Sequence, residues 1–296
     1  MGRFSGKLVI QAPAKVNLTL HILGKRVDGY HDLDSVMQKI DLADTLTLFR
    51  CEHPGVQLSC PGSIVPEDES NLVWKAAALF LEEAGLEKKC GVLIILEKKI
   101  PIAAGLGGGS SDAGCVLTGM NRLFQAGLNE DVLLRLAKSL GADVPFFVVP
   151  YATVRASGIG DRMKEQESLK NCSLLLVNPG IFVSTTWVYE NYTLTRADKD
   201  SNLFDSRKND SVDGYYCCLH NDLEAVTIEQ YPEIADIKRF MLENGASGAL
   251  MSGSGSTVFG VFPDSDAGES DSLGICAKKM KEKYGRGVFV TRPVVN

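Results

Sequence analysis

Short runs of alternating or β-branched apolar residues open the chain. Lys7–Gln11, Val16–Ile22, Val36–Asp41 and Thr45–Phe49 predict strands, with a turn at Asp28-Gly29 between the second and third. The period then lengthens. Ser70-Asn71 offers an N-cap for a helix over Leu72–Ala84, and Gly85 stops it. Val92–Glu97 predicts a strand, followed by a glycine-rich stretch and a helix over Asp112–Gln125. Asn129 caps an amphipathic helix carrying Leu133, Leu134, Leu136 and Ala137 that ends at Gly141, and Pro145–Val149 predicts a buried strand. The polar stretch Gly158–Asn171 predicts a domain seam. Beyond it, Ser173–Val177, Gly248–Met251, Val258–Phe262 and Val288–Arg292 predict strands. Pro232 starts a helix with Ile234, Ile237, Phe240 and Met241 on one face, and Asp271–Tyr284 predicts a last helix. Thr193–Gly214 has little apolar periodicity and predicts an exposed loop or insertion. Strands and helices occur in both halves without strict alternation, so the predicted class is α+β.

A length of 296 residues suits two domains, and 45% hydrophobic with 23% charged residues supplies an ordinary core. The net charge of −6 argues against a nucleic-acid or anionic-membrane binder, because no broad basic field exists to release counterions. It leaves room for a local phosphate pocket. No apolar run reaches the roughly 18 residues of a membrane span, and no signal peptide or myristoylation pattern is expected at the start. The eight cysteines, including vicinal Cys217-Cys218, show no C-x-x-C pair and read as free thiols of a reducing cytoplasm. The Asn-x-Ser/Thr matches at Asn17, Asn191 and Asn209 read as chance. His21, His53 and His220 read as structural or surface residues.

Glycine is in excess, 29 residues where about 7% is usual, and its placement matters. The stretch Pro101-Ile102-Ala103-Ala104-Gly105-Leu106-Gly107-Gly108-Gly109-Ser110-Ser111-Asp112 sits between a strand and a helix. Backbone without Cβ atoms approaches an anion closely, and helix N-terminal N–H groups complete a phosphate site. Ser110 and Ser111 can donate to phosphate or join Mg²⁺ coordination. No Gly-Lys-Ser/Thr follows, and Ser110 replaces the third glycine of a dinucleotide fingerprint. Four further segments carry polar chemistry. Lys15 and Asn17 share one strand face, suited to an anionic or hydroxyl-bearing ligand or to plain solvation. Asp143 follows a helix and is either a partly buried base or a turn former. Gly253-Ser254-Gly255-Ser256-Thr257 is a ligand-contacting turn or only a hairpin. Tyr30-His31 offers a stacking face and an imidazole.

Taken in order, these segments resemble the GHMP kinase superfamily. The stretch from Ala12 to Leu18, the Gly24–His31 segment with its Gly-Tyr-His, Ile40–Asp44, Gly141–Pro145 and Asn221-Asp222-Leu223-Glu224 are similar to the branch that phosphorylates 4-diphosphocytidyl-2-C-methyl-D-erythritol. The resemblance implies an α+β, two-domain fold. Residues 1–165 would form an N-terminal ATP-binding domain, residues 166–296 a ferredoxin-like α/β sandwich, with a cleft between them. It implies ATP-dependent transfer of a phosphoryl group to the 2-hydroxyl of that substrate, in the non-mevalonate isoprenoid pathway. Lys15 and Asp143 would be the catalytic pair, Lys15 holding Asp143. The Pro101–Ser111 loop would cradle ATP with Mg²⁺, and Gly253–Thr257 would close the cleft. Asn17, Tyr30, His31 and Phe182 would contact the substrate. The implied setting is a cytoplasmic monomer or weak homodimer whose partners are ATP and the cytidine diphosphate methylerythritol substrate. Another small-molecule kinase of the superfamily, such as a mevalonate or homoserine kinase, would lack a need for a cytidine pocket. A catalytically silent nucleotide-binding protein would lack Lys15 or Asp143.

Overall fold

A computed structural model describes residues 4–27, 29–192, 218–264 and 271–295. The insertion Thr193–Gly214, Asn209, Cys217 and Asp28 lie outside them. The chain divides into two compact units that interleave in sequence. The first takes the chain up to Ala14, Ala43–Ile102 and Gly107–Pro150; the second takes Lys15–Leu42, Ala103–Leu106 and the chain from Tyr151 onward.

Strands β1 (Phe4–Lys25) and β2 (His31–Cys51) pass through both units. Each is one long strand where the sequence predicts two. In the first unit, β3 (Gly55–Ser59) follows, then α1 (Leu72–Glu83), β4 (Gly91–Glu97), α2 (Gly108–Phe124), α3 (Glu130–Leu140) and α4 (Val144–Val148). β4 pairs antiparallel with β2, Thr45 facing Glu97, and parallel with β3. Helices α1 and α3 start as the sequence predicts, with Asn71 accepting from the Val73 N–H and Asn129 from the Val132 N–H. Leu46, Leu48, Ile94, Phe80, Val116, Met120 and Ala137 form the core of this unit.

Two predictions need correcting here. Pro145–Val149 is not a strand, because Val144–Val148 is helical and buried throughout. A short apolar run fits a buried strand or a buried helix equally, and Pro145 at the first turn is compatible with a helix start. Helix α2 begins at Gly108, four residues before the predicted Asp112, because the glycines themselves take helical backbone after left-handed Gly107.

The second unit adds β5 (Thr153–Gly158), β6 (Arg162–Glu165), β7 (Cys172–Val177), α5 (Thr185–Asn191), β8 (His220–Asn221), α6 (Leu223–Gln230), α7 (Glu233–Glu243), β9 (Gly248–Met251), β10 (Val258–Pro263), α8 (Ser272–Tyr284) and β11 (Val288–Thr291). The predicted seam at Gly158–Asn171 therefore carries a strand, β6, paired with β5. β5 also pairs with the first half of β2, and β8 runs parallel to β1. A four-stranded antiparallel sheet has the order β11-β7-β10-β9. Every residue of β7 is buried, since α7 and α8 pack on this sheet and Leu175, Val177, Ile234, Ile237, Met241 and Cys276 share one core. Among the described residues no helix is long and apolar enough to cross a membrane.

Candidate active site

Strand periodicity places Lys15, Asn17 and Thr19 on one face of β1, and all three are buried. A buried ammonium requires a partner. The Lys15 Nζ donates to Asn17 Oδ1 at 2.5 Å, the Asn17 amide donates to Ser35 Oγ at 2.9 Å, and Ser35 Oγ donates to the Thr19 carbonyl at 2.6 Å. Lys15 is therefore not on a solvated face.

The same strand holds the glycine segment. The Lys15 backbone N–H donates to the Leu106 carbonyl at 2.9 Å. Ser252 Oγ donates to the Gly105 carbonyl at 2.9 Å and accepts from the Asn17 N–H at 3.4 Å. Gly105 has φ +75°, and a Cβ there would stand 2.1 Å from the Ser252 carbonyl oxygen. Only glycine permits this approach.

The Ser252–Thr257 turn is buried throughout and is more than a hairpin connection. The Asn221 amide donates to the Met251 and Gly253 carbonyls, Thr227 Oγ1 to the Ser254 carbonyl, Ser256 Oγ to the Ile181 carbonyl, and the Asn178 amide to Thr257 Oγ1. These bonds fix the turn and Gly105 with it. The roles of Ser252, Ser35 and Asn221 are not legible in the sequence, because their partners lie on other elements of the chain.

In the first unit, α2 opens at Gly107 without a side-chain cap, so its first N–H groups stay available to an anion. Ser111 Oγ and Asp112 Oδ1 are buried without a hydrogen-bond partner. Beneath this end, Lys98 Nζ bridges Asp44 at 2.5 Å and Asp112 at 2.7 Å. Asp44 also accepts from the Lys99 and Ile100 N–H groups, so it anchors the strand exit that leads into the loop. Burial pushes the Asp112 carboxyl above its ordinary range, Lys98 pulls it back, and Asp44 adds to the push. Burial works against the Lys98 charge, but Asp112 and Asp44 outweigh it and raise its pKa.

Asp143 is the N-cap residue of α4 and is half-buried, and its carboxylate does not cap that helix. Gly114 of α2 lets α4 approach, since a Cβ there would meet Phe147 at 2.8 Å and the Val144 carbonyl at 3.1 Å. Asp143 thus sits on a short helix set against α2, rather than ahead of a strand.

Tyr30 and Phe182 are exposed aromatic residues of the second unit. His31 packs its ring on Tyr189 with centroids 5.3 Å apart. Burial, then the nearby Lys25 charge, lowers the His31 pKa from its ordinary 6.5. Tyr189 is a further candidate contact; it lies in a stretch with no distinctive local pattern.

The chain matches two family models, GHMP kinases N terminal domain over residues 71–150 and GHMP kinases C terminal over residues 214–280. It is 45% identical over 283 residues to the 4-diphosphocytidyl-2-C-methyl-D-erythritol kinase of Syntrophotalea carbinolica, covering 96% of this chain and 98% of that one. The chain belongs to the 4-diphosphocytidyl-2-C-methyl-D-erythritol kinase family of GHMP kinases. A second family member, from Desulfotalea psychrophila, is 43% identical over 99% of this chain and 98% of its own. A crystal structure of a 4-(cytidine 5'-diphospho)-2C-methyl-D-erythritol kinase superposes with a TM-score of 0.74 at 33% identity, covering 98% of this chain and 100% of that one. A mevalonate kinase superposes almost as well, with a TM-score of 0.73 at 16% identity, which shows a shared fold. The α+β class and the kinase family read from the sequence both hold.

Proposed function

We propose that this kinase transfers the γ-phosphoryl group of ATP to the 2-hydroxyl of 4-diphosphocytidyl-2-C-methyl-D-erythritol, giving the 2-phosphate and ADP, as a step of the non-mevalonate route to isoprenoid precursors. The observation that carries this reading is the buried Lys15–Asn17 pair on a strand hydrogen-bonded to the Gly105–Leu106 segment. A phosphate-binding backbone and a fixed ammonium are thereby held by one ladder of bonds.

A loose phosphoryl-transfer transition state requires positioning and charge neutralisation more than a strong base. The bond from the substrate's 2-oxygen to the γ-phosphorus forms as the bond to the β-bridging oxygen breaks. The Asp143 carboxylate orients the 2-hydroxyl and takes its proton, and ADP leaves. Lys15 neutralises developing charge from a position fixed by Asn17, and Asn17 contacts the substrate near the reacting hydroxyl. Backbone N–H groups of the loop from Pro101 through Ile102, Ala103, Ala104, Gly105, Leu106, Gly107, Gly108, Gly109 and Ser110 to Ser111 bind the triphosphate. Tyr30, His31 and Phe182 bind the cytidine end.

The residues present fit Mg²⁺, a hard cation that takes oxygen ligands. Ser111 Oγ and Asp112 Oδ1 are buried oxygens with no hydrogen-bond partner, and they would hold it. When bound, the ion neutralises phosphate charge. The proposed setting is the cytoplasm, as a monomer or weak homodimer acting on small molecules rather than nucleic acid. Residues 1–165 supply the loop, Lys15 and Asp143, and residues 166–296 supply Phe182.

The experiment is direct. Purified protein with Mg-ATP should release ADP only when the cytidyl-methylerythritol substrate is present, and CDP should compete with that substrate. Phosphorylation of mevalonate or homoserine instead, with no competition by CDP, would overturn the substrate reading. Full activity in Asp143→Ala would overturn the role of Asp143.

A further inference from the structure

One polar cluster has no part in the phosphoryl-transfer reading. β8 runs parallel to β1 with Thr19 facing His220 and Leu20 facing Asn221. This register sets the His21 and His220 rings face to face, with centroids 4.5 Å apart and 10° between planes. The chain then turns into α6 at Asp222. Its N–H donates to the Leu20 carbonyl at 2.9 Å, and its Oδ2 accepts from the Ile22 N–H at 2.6 Å. Its Oδ1 lies 2.5 Å from His220 Nε2.

One nitrogen from each imidazole and one Asp222 oxygen all lie within 4.8 Å of one another. Zinc-class ions sit about 2.0–2.2 Å from such ligands, so binding requires the two rings to turn out of their parallel stack until a nitrogen of each points at one ion. Two neutral imidazoles and a carboxylate suit Zn²⁺, Co²⁺ or Ni²⁺ rather than Mg²⁺. Arg155 is paired with Asp34 by two hydrogen bonds, and the Asp222 and Asp34 carboxylates each act on His21 more strongly than the Arg155 charge does.

We propose that His21, His220 and Asp222 form a binding site for one divalent ion of the zinc class. The site joins β1, β8 and the start of α6. It is independent of the kinase reading, since none of the three residues is assigned to ATP, Mg²⁺ or the cytidyl substrate. Asn221, between His220 and Asp222 in sequence, donates to the Met251 and Gly253 carbonyls and is not itself a ligand. An ion bound to the native state raises its thermal stability.

The test uses the full-length protein stripped of metal by chelation and kept reduced. It is titrated with Co²⁺ and followed by visible d–d absorption, with Zn²⁺ added as competitor and stoichiometry taken from equilibrium dialysis. One Co²⁺ per chain, displaced by Zn²⁺, and an unfolding temperature raised by Zn²⁺ are expected. His21→Ala and His220→Ala should each weaken binding more than ~100-fold, beyond the effect of losing an outer partner. Cys218→Ser should change nothing, which separates this site from adventitious thiolate binding. His21→Asn and His220→Asn keep polar side chains and serve if the alanine variants lose their native circular dichroism. Absence of a Co²⁺ spectrum, or unchanged affinity in both histidine variants, would overturn the proposal.

Discussion

Replacing Gly105 by alanine tests how the glycine segment is held. Alanine at φ +75° costs about 1 kcal/mol or somewhat more in backbone strain alone. The added Cβ would also lie 2.1 Å from the Ser252 carbonyl oxygen, a backbone atom that cannot swing aside. The Ala103–Leu106 segment must therefore shift, which breaks the Ser252 Oγ bond to Gly105 and strains the Lys15 N–H bond to Leu106. Losing these bonds costs about 1 kcal/mol each. The expected total is roughly 2–4 kcal/mol, together with a raised KM for ATP. Gly180→Ala is the control, because Gly180 lies in the same unit at φ +77° with open space around its Cβ position. It should lose only the strain contribution, about 1 kcal/mol. Urea unfolding followed by circular dichroism compares the two, and a coupled ADP assay gives KM. Equal destabilisation by the two substitutions would refute the claim that the Ser252 turn holds the glycine segment.

Asp143→Asn should lower kcat about 10²- to 10⁴-fold, the usual range for a removed proton acceptor, with native circular dichroism retained because asparagine is nearly isosteric and the half-buried side chain does not cap α4. Lys98→Met leaves Asp44 and Asp112 buried around a missing cation and should cost about 3–5 kcal/mol in urea unfolding. His31→Ala should raise KM for the cytidyl substrate while leaving KM for ATP nearly unchanged. Burial, then Lys25, lowers the His31 pKa from its ordinary value, so any rise in substrate KM caused by protonating this imidazole should set in at lower pH than for an ordinary histidine. A KM rise centred at or above the ordinary imidazole pKa of 6.5 would contradict a lowered His31 pKa in the cytidine pocket.

Local signals were the legible ones. Asn71 and Asn129 cap their helices because a side chain within the same turn can reach an orphan N–H, and that relation is written in adjacent letters. The glycine-rich segment is legible as backbone free to take positive φ, and Gly105 and Gly107 adopt it while Gly108 and Gly109 are helical. Lys15 and Asn17 were readable as a pair from strand period alone. Helix α4 is not legible because a buried apolar run has no period to reveal; it packs closely against α2 at Gly114. The apolar pattern of β1 and β2 breaks at Ala12–Lys15 and Leu42–Asp44, where a proline and polar residues interrupt the apolar run but not the strand. Ser252, Asn221 and the His21–His220 stack depend on chain crossings that no window of sequence contains.

The central claim rests on substrate-dependent phosphoryl transfer. Incubation of the purified protein with Mg-ATP and 4-diphosphocytidyl-2-C-methyl-D-erythritol, followed by ³¹P NMR, should show one ADP and one new phosphomonoester at the 2-position per turnover. ATP consumption that is unchanged when the substrate is left out, with no phosphomonoester formed, would contradict the account.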